Sequence, residues 1–451
     1  MRKNLLLWCS PGFTLVDNWL PVVRKLKERS DITIDFVFPE PSSLRLEAKD
    51  SGLFNLAEQF SDRVIYRGHS GRWFVAHTLI EASSGIKFSN FDEKIAQLSN
   101  RLLYGRASKF FILKIIGKYL KAILKYIAYL KEDLSSQSHY DISLIKNVDG
   151  VLCDFTVEKK VVNKELIHEL SGIQKFSMFH GMGALWVTTR FSCEQPVIKR
   201  SDVTVYAMSN LEFHGYEKCY GVLSDNILHA GIPRHDKDWI NFICSKQNSV
   251  KEEIFDSFVF IIGRPASPYN TVERKKKALK DIYEVVCNKY KLKLVVKTHP
   301  KESLDGIDGD IYKNTLGLDN YGKEWMFSDR HPFVLGKKSI FAISFFSGLA
   351  KDMLVVNKPT IEYLDLTGIP LYDNSDALRD EKGRPVFQYR YTKLVLGANS
   401  KSELDKHVAS ILYKNKATVS LLHSRYLDYF KPFDNSSKMV ANDIYKKIST
   451  L

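Results

Sequence analysis

The chain has 451 residues, of which 44% are hydrophobic and 26% are charged. This is a usual globular composition, and it excludes a wholly disordered protein. Lys and Arg number 66 against 52 Asp and Glu, a net charge of +14, which favours an anionic partner such as a phosphorylated substrate, an acidic glycan or a membrane surface. Nucleic acid is not expected, because the sequence contains no basic-aromatic RNA motif and no zinc-finger spacing.

The six cysteines and the N-terminus both suggest a cytoplasmic protein. No cysteine lies within three residues of another, so neither a zinc knuckle nor a CxxC redox pair is present. Scattered single cysteines are typical of a reducing cytosol. The first residues, MRKNLLLWCSPG, have too short an apolar stretch for a signal peptide and predict a buried strand. No apolar run reaches the roughly 18–20 residues that span a bilayer.

Apolar runs of strand length alternate with helical periodicity in the first half of the chain. A strand at residues 4–9 is followed by a Ser-Pro-Gly turn and a helix with Val16, Leu20, Val23 and Leu26 on one face. Further strands are predicted at 32–38, 150–154, 175–179 and 203–207. This alternation is typical of a parallel α/β sheet, and it predicts an N-terminal Rossmann-like domain over residues 1–240.

Residues 93–133 depart from this alternation and predict a long helix or helix pair, inserted in the first domain. Lys114, Lys118, Lys121 and Lys125 fall on one narrow stripe of that helix, and nearly every other residue from 110 to 130 is apolar. Two interpretations remain open: a buried helix with one solvated lysine face, or a basic amphipathic helix that docks on anionic lipid. The regular charges exclude a membrane-spanning helix.

The strand and helix pattern begins again in the second half of the chain, after a junction near residues 237–255. Helices are predicted at 271–290 and 348–355, and strands at 257–262, 292–297, 339–344 and 359–363. Helices follow at about 401–414, 418–430 and 437–449. The sequence therefore predicts a second Rossmann-like domain over residues 250–430 and a C-terminal helix within 431–451.

Polar residues follow the predicted strands, and in open parallel sheets ligands gather at these carboxyl ends. Ser347-Gly348 precedes a helix, whose free N–H groups favour a phosphate, although a simple serine N-cap is the alternative. Glu362 at a strand end suits both hydroxyls of a ribose, unless it is a surface carboxylate. The candidates in the second domain are Arg264, Lys297, His299, Pro300, Ser344, Ser347, Gly348 and Glu362, and those in the first domain are Asp154, Glu158 and His180.

Three segments follow one another in an order that is informative about the family: SNLEFHGYEKCYGVLSDNILHAGIPRHD, VVKTHP and SFFSGLAKDMLVVNKPTIEY. Over roughly residues 200–365 this resembles GT-B glycosyltransferases of bacterial surface-polysaccharide synthesis. The resemblance is greatest to enzymes with cytidine-activated donors: sialyltransferases and Kdo transferases, with HP and paired-serine motifs, and CDP-glycerol glycerophosphotransferases, with a GxPRxD stretch. It implies two Rossmann-like domains facing a cleft, the second for the nucleotide and the first for the acceptor.

The resemblance also implies roles for the candidates in the second domain. His299 and Pro300 would contact the cytidine monophosphate part, Ser344 and Ser347 its phosphate, and Glu362 its ribose. Arg264, Lys297 and Gly348 belong to the same predicted nucleotide site. Positive charge and a helix start would stabilise the leaving phosphate, so no metal ion or other cofactor is expected.

The catalytic base is less well defined by the sequence. His180, in FHGMG, matches the histidine that polyol-phosphate transferases use as a base, and Asp154 and Glu158 are the other candidates. Asp149-Gly150 is only a fragment of the acidic motif of sialyltransferases. The base and the donor sugar therefore stay open.

These features predict a metal-independent GT-B transferase, peripheral at the inner face of the cell membrane. It would move a Kdo-type or sialic-acid-type sugar from a CMP-activated donor onto a surface polysaccharide, such as capsule, O-antigen or lipopolysaccharide, or onto a lipid-linked glycan. The alternatives are transfer of glycerol phosphate or ribitol phosphate from a CDP conjugate, and a UDP-sugar transferase or UDP-GlcNAc 2-epimerase-like enzyme. A non-catalytic membrane scaffold is a fourth possibility.

Overall fold

The chain forms two compact units, each described separately. The first contains Met1–His69, Gln137–Ser249 and Tyr426–Leu451, and the second contains Ser70–Ser136 and Val250–Arg425. The structure is a computed structural model. It describes residues 2–9, 12–38, 51–66, 98, 102, 110–130, 147–154, 172–179, 199, 201–247, 254–300, 302, 304, 306–430 and 434–450.

A seven-stranded parallel sheet forms the centre of the first unit, in the order β3-β2-β1-β4-β5-β6-β7. The strands are β1 (Lys3–Trp8), β2 (Ile32–Phe38), β3 (Arg63–Tyr66), β4 (Gly150–Asp154), β5 (Lys175–Met178), β6 (Val203–Ala207) and β7 (Ile227–His229). The central strands are nearly all apolar because helices cover both faces of such a sheet. All five predicted strands are present. The two strands that the sequence analysis did not predict, β3 and β7, are the short edges.

The helices of the first unit include Gly12–Leu26, Ser51–Phe60, Phe213–Tyr220 and Lys237–Gln247. In Gly12–Leu26 the apolar stripe predicted from the sequence is fully buried: Val16, Leu20, Val23 and Leu26 have no solvent exposure. The last helix of the chain, Ser436–Ser449, packs against this first helix.

The GIPRHD segment is built into the framework of the first unit. Arg234 donates to the buried carboxylate of Asp17 at 2.8 Å. Asp236 accepts the backbone N–H groups of Ser436 and Ser437, at 2.9 and 2.7 Å, and so caps the last helix. His235 Nδ1 lies 2.8 Å from the Tyr426 hydroxyl oxygen. These contacts give the segment a structural role that joins distant parts of the chain.

A six-stranded parallel sheet forms the centre of the second unit, in the order β10-β9-β8-β11-β12-β13. The strands are β8 (Val259–Ile262), β9 (Leu294–Lys297), β10 (Trp325–Phe327), β11 (Ala342–Ser344), β12 (Thr360–Tyr363) and β13 (Leu396–Ala398). The four central strands were predicted, and the edges β10 and β13 were not. Two Rossmann-like domains, as the sequence predicted, are therefore confirmed.

The helices of the second unit flank this sheet. They are Val272–Tyr283, which continues as a π-helical turn over Glu284–Lys289, then Ile307–Leu316, Pro332–Lys338, Leu349–Val355, Gln388–Tyr391 and Lys401–Tyr429. The last of these has non-helical backbone angles at Lys414, with φ −134° and ψ 28°. That kink falls next to the break that the sequence predicted between two C-terminal helices.

The predicted basic helix is present over Phe111–Leu130, and most of the rest of residues 93–133 lies outside the described residues. Several of its described apolar side chains are exposed: Phe111, Ile112 and Tyr119 retain 77, 71 and 68% of their accessible surface. Lys114 and Lys118 are exposed as well. The buried-helix interpretation does not fit these side chains. Among the described residues, no helix combines the length and apolar character needed to cross a membrane.

Candidate functional site at the carboxyl edge of the second sheet

Three of the predicted site residues lie at or next to the carboxyl ends of strands in the second sheet. Lys297 of β9 pairs with Ile262 of β8, Ile262 pairs with Ser344 of β11, and Ser344 pairs with Glu362 of β12. We call these four residues the strand-end row. At about 4.8 Å between neighbouring strands, the row spans roughly 14 Å. The fold therefore places Lys297, Ser344 and Glu362 in one line at the edge where ligands bind in this architecture.

Glu362 is the most unusual member of the strand-end row. Its side chain is 1% exposed, and its Oε1 lies 3.4 Å from Arg390 Nε. The second oxygen, Oε2, has no hydrogen-bond partner. Burial raises the pKa of Glu362 to about 7, although the positive charge of Arg390 opposes this shift. A buried acceptor without a donor is costly, which makes this oxygen a candidate partner for a ligand hydroxyl.

The two serines that follow β11 have ordered hydroxyl groups. Ser344 Oγ accepts the backbone N–H of Phe346 at 3.0 Å, and Ser347 Oγ accepts that of Leu349 at 3.3 Å. Ser347 Oγ thus accepts a backbone N–H at the start of the helix Leu349–Val355, whose N-cap is Gly348, and each serine hydroxyl still has its O–H to donate to a ligand. Phe346 lies between them with φ 105°, a strained conformation of the kind found at functional sites.

A buried lysine that the sequence analysis did not select lies beside Gly348. A Cβ atom at Gly348 would lie 3.7 Å from Lys351 Nζ and 3.3 Å from the Tyr389 hydroxyl oxygen. Lys351 is 3% exposed. Because Gly348 leaves this space open, an ammonium group and a phenol lie close to the backbone where the phosphate is predicted to bind.

The turn after β9 is held by the side chain of Glu302. Glu302 Oε2 accepts the backbone N–H of His299 at 2.6 Å, and the Glu302 backbone N–H donates to the His299 carbonyl at 2.8 Å. A Cβ at Gly263 would lie only 2.5 Å from that Oε2, so glycine is needed there. His299 and Pro300 are half-buried. Lys297 is buried, and its Nζ donates to the Asp329 carbonyl at 2.9 Å.

Glu302 itself is fixed by a buried ion pair. Lys275, which has no solvent exposure, pairs with Glu302 and lies 3.3 Å from Asp308. The Tyr312 hydroxyl donates to Glu302 Oε1 at 3.1 Å. Burial raises the pKa of Glu302, and the charge of Lys275 opposes that shift. The ion pair with Lys275 therefore fixes the carboxylate of Glu302, which in turn fixes the backbone at His299.

Arg264, directly after β8, lies over two aromatic rings. Its guanidinium carbon is 5.8 Å from the centre of the Tyr269 ring and 5.7 Å from that of Phe346. Phe387 packs against both rings, with centroid distances of 5.0 and 4.2 Å. Burial raises the pKa of Tyr269, with a smaller contribution from the carboxylate of Glu362. Arg264 is therefore a guanidinium held by aromatic faces, which suits binding of an anion.

The candidates for the catalytic base are only partly within the described residues. Asp154 ends β4 and is completely buried, near Tyr216, whose pKa is raised first by burial and then by the carboxylates of Glu212 and Asp154. His180 and Glu158 lie outside the described residues. Asp149 accepts the backbone N–H of Asn4 at 2.7 Å, which gives the incomplete acidic motif a structural role.

Sequence reasoning missed several residues that shape the site, namely Tyr269, Lys275, Glu302, Lys351 and Arg390. Glu302 carried a usable signal, because it stands three residues after His299, and at that spacing a carboxylate can reach back to a backbone N–H in a turn. Lys351 also lies within the quoted segment SFFSGLAKDM. The other three are far from the motifs in sequence.

No protein-family model and no curated protein matches the chain. Solved structures do match its fold. A Methanocaldococcus jannaschii UDP-GlcNAc 2-epimerase in complex with UDP-GlcNAc and UDP is 13% identical over 100% of both chains, with a TM-score of 0.51. S. aureus MnaA with UDP is 12% identical over 100% of this chain and 98% of that one, with a TM-score of 0.52. The wall teichoic acid polymerase TagF with CDPG is 11% identical over 100% and 90%, also with a TM-score of 0.52. At these identities the likeness establishes the GT-B fold.

Proposed function

We propose that the protein is a GT-B transferase that uses a cytidine-activated donor in the synthesis of a surface polysaccharide or lipid-linked glycan. The observation that carries this proposal is the strand-end row, in which Glu362 keeps a buried carboxylate oxygen without a partner. A ribose hydroxyl would satisfy that oxygen, and the phosphate would lie toward Ser344, Ser347 and Lys297. The HP and S-x-x-S-G motifs resemble those of cytidine-dependent enzymes, and this resemblance supports cytosine as the nucleobase of the donor.

The chemistry is a displacement in which cytidine monophosphate leaves. With a CMP-sugar of the Kdo or sialic acid type, the acceptor oxygen bonds to the anomeric carbon, and the bond from that carbon to the phosphate oxygen breaks. The phosphate keeps the electron pair, and Arg264, Lys297 and His299 would stabilise its charge. The acceptor proton passes to a base. His180 is the favoured candidate, because the carboxylate of Asp154 is wholly buried.

A second candidate is transfer of a polyol phosphate, glycerol phosphate or ribitol phosphate, from a CDP conjugate. The likeness to TagF with CDPG and the GIPRHD segment favour it. The acceptor oxygen would then attack phosphorus, and CMP would again leave. A UDP-linked substrate is a third candidate, because UDP-GlcNAc 2-epimerases are among the proteins with a similar fold. The uridine nucleotide would then bind at the strand-end row.

A donor panel distinguishes these candidates. The purified full-length protein is incubated with CMP-Kdo, CMP-sialic acid, CDP-glycerol, CDP-ribitol and UDP-GlcNAc, and release of CMP, UDP or epimerised sugar is measured with and without EDTA. We expect release of CMP that EDTA does not reduce. Turnover of the UDP-sugar alone would contradict the cytidine proposal, and the absence of any turnover or bound nucleotide would favour the non-catalytic scaffold.

We expect His299→Ala to reduce turnover by about 30–1,000-fold, because a contact to the leaving phosphate is worth roughly 2–4 kcal/mol. The second His-Pro pair provides a matched control. His331 is buried, and its Nδ1 accepts the Phe333 backbone N–H at 3.2 Å, so it caps the helix Pro332–Lys338. His331→Asn keeps a capping group and should leave kcat unchanged. Parent-like turnover in a folded His299→Ala protein would remove His299 from the donor site.

A further inference from the structure

Arg390 ties together the ends of two strands at the proposed nucleotide site. It is 6% exposed. Its Nη2 donates to the backbone carbonyl oxygens of Glu362 at 2.8 Å, Leu364 at 2.9 Å and Ala398 at 3.3 Å. These acceptors belong to the carboxyl ends of β12 and β13, so one guanidinium fixes the backbone on both sides of the Glu362 side chain.

The same guanidinium also holds the side chain of Glu362. Arg390 Nε lies 3.4 Å from Glu362 Oε1, and neither Nε nor the other carboxylate oxygen, Oε2, has a hydrogen-bond partner. The chain reserves space for this arrangement, since a Cβ at Gly397 would lie 2.4 Å from Arg390 Nε. Glu362 is therefore ion-paired to Arg390 through Oε1, while Oε2 is left without a donor.

We propose that Arg390 is a positioning residue that aims Glu362 Oε2 at a hydroxyl of the donor's ribose and thereby sets the preference for ribonucleotides over deoxyribonucleotides. This inference rests on the proposed function, because it assumes a nucleotide at the strand-end row. It goes beyond that function by assigning the orientation of the Glu362 carboxylate to the guanidinium of Arg390. Arg390 does not itself need to touch the nucleotide.

The pairing has a pH signature. Glu362 accepts a hydrogen bond from a hydroxyl best as a carboxylate, and burial raises its pKa to about 7, while the charge of Arg390 opposes that shift. Tyr269 also lies within electrostatic range of Glu362. Preference for the ribonucleotide should therefore rise as pH increases through about 7. Removal of the guanidinium should move that midpoint to higher pH.

The test measures the affinities of CMP and 2′-deoxy-CMP by calorimetry between about pH 6 and pH 9. The parent should prefer CMP by about 10–100-fold at high pH, the range expected for a hydrogen bond to a charged acceptor. Arg390→Met should reduce this preference to within about threefold and raise its midpoint. Arg390→Lys should restore part of it, and Glu362→Gln should abolish the pH dependence. Arg384→Met is the matched control, because Arg384 pairs with Asp380 and Glu403 in the same segment.

The outcomes separate this inference from the proposed function. If the parent binds no CMP, the proposed function fails and the role of Arg390 fails with it. If the parent binds CMP and 2′-deoxy-CMP equally, the contact of Glu362 with the 2′-hydroxyl and the role of Arg390 are overturned, while the cytidine site stands. If the parent discriminates but folded Arg390→Met keeps the same preference and midpoint, only the role of Arg390 is overturned. Should Arg390→Met not fold, Arg390→Lys decides the matter, since a parent-like preference and midpoint in that variant would contradict positioning by the planar guanidinium.

Discussion

Lys275→Met should lower the free energy of unfolding by about 3–5 kcal/mol, the range for removal of one partner from a buried ion pair. Lys275 has no solvent exposure and is paired with the buried carboxylates of Glu302 and Asp308. Without it, these carboxylates lose a compensating charge while they remain in the interior. Lys277→Met is the matched control: Lys277 lies on the same helix, is 75% exposed and pairs with Asp281. It should change stability by about 0.5 kcal/mol or less.

The loss in Lys275→Met should depend on pH with a definite sign. Burial already raises the pKa of Glu302, and Lys275 opposes that shift, so the variant should raise this pKa further. A carboxyl whose pKa is raised in the folded state binds more protons there than in the unfolded state, and stability falls as pH rises through the folded value. Urea denaturation should therefore find a larger loss at about pH 8 than at about pH 5. Equal losses at both pH values would show that Glu302 is compensated by another group.

The same variant connects stability to the nucleotide site. Glu302 Oε2 fixes the backbone of His299, so a protonated or displaced Glu302 should loosen the turn that carries His299. Lys275→Met/Glu302→Gln should recover part of the lost stability, because no unpaired carboxylate remains at Glu302, but it should not restore nucleotide affinity fully. Recovery of both properties together would indicate that the turn does not depend on this carboxylate.

The strand-end row was predictable because a buried parallel strand has a simple sequence signature. Strands β8, β9, β11 and β12 are short and mostly apolar, and a polar or glycine residue stands at or next to the end of each. Prediction of the strands therefore also predicted Lys297, Ser344 and Glu362 as residues at their carboxyl ends. The edge strands β3, β7, β10 and β13 were not predicted; they are only three or four residues long and partly exposed, so each has only a short apolar run in the sequence.

Lys275 and Arg390, which fix the residues of the site, could not be predicted from the sequence, and the physical reason is different. Lys275 stands in the run Arg274-Lys275-Lys276-Lys277, and such a run is usually a solvated helix face. Only tertiary packing determines that one of its members points inward to Glu302. Arg390 follows Glu362 by 28 residues and binds mainly to backbone carbonyls, whose position no side-chain pattern reveals.

The helix Phe111–Leu130 carries the second large expected effect, on membrane binding. We propose that it docks on an anionic bilayer, as a basic amphipathic helix does. Phe111 and Ile112 are exposed, with Lys114 and Lys118 exposed within two turns. Burial of each apolar side chain is worth about 1.5–3 kcal/mol, and each lysine near an anionic surface is worth about 1 kcal/mol. The side chains of Lys121 and Lys125, which complete the predicted stripe, lie outside the described set.

Sedimentation with vesicles tests this docking through two variants that separate its two components. Lys114→Gln/Lys118→Gln should reduce binding to anionic vesicles by about 30-fold at low salt and make the residual binding less salt-sensitive, because the Debye length falls with ionic strength. Phe111→Ser/Ile112→Ser should reduce binding by more than that at every salt concentration. Lys337→Gln/Lys338→Gln removes the same charge from another helix, where both side chains are exposed, and should bind as the parent does. If that control loses as much binding as Lys114→Gln/Lys118→Gln, attraction comes from the overall charge of +14 and the helix has no special role in it.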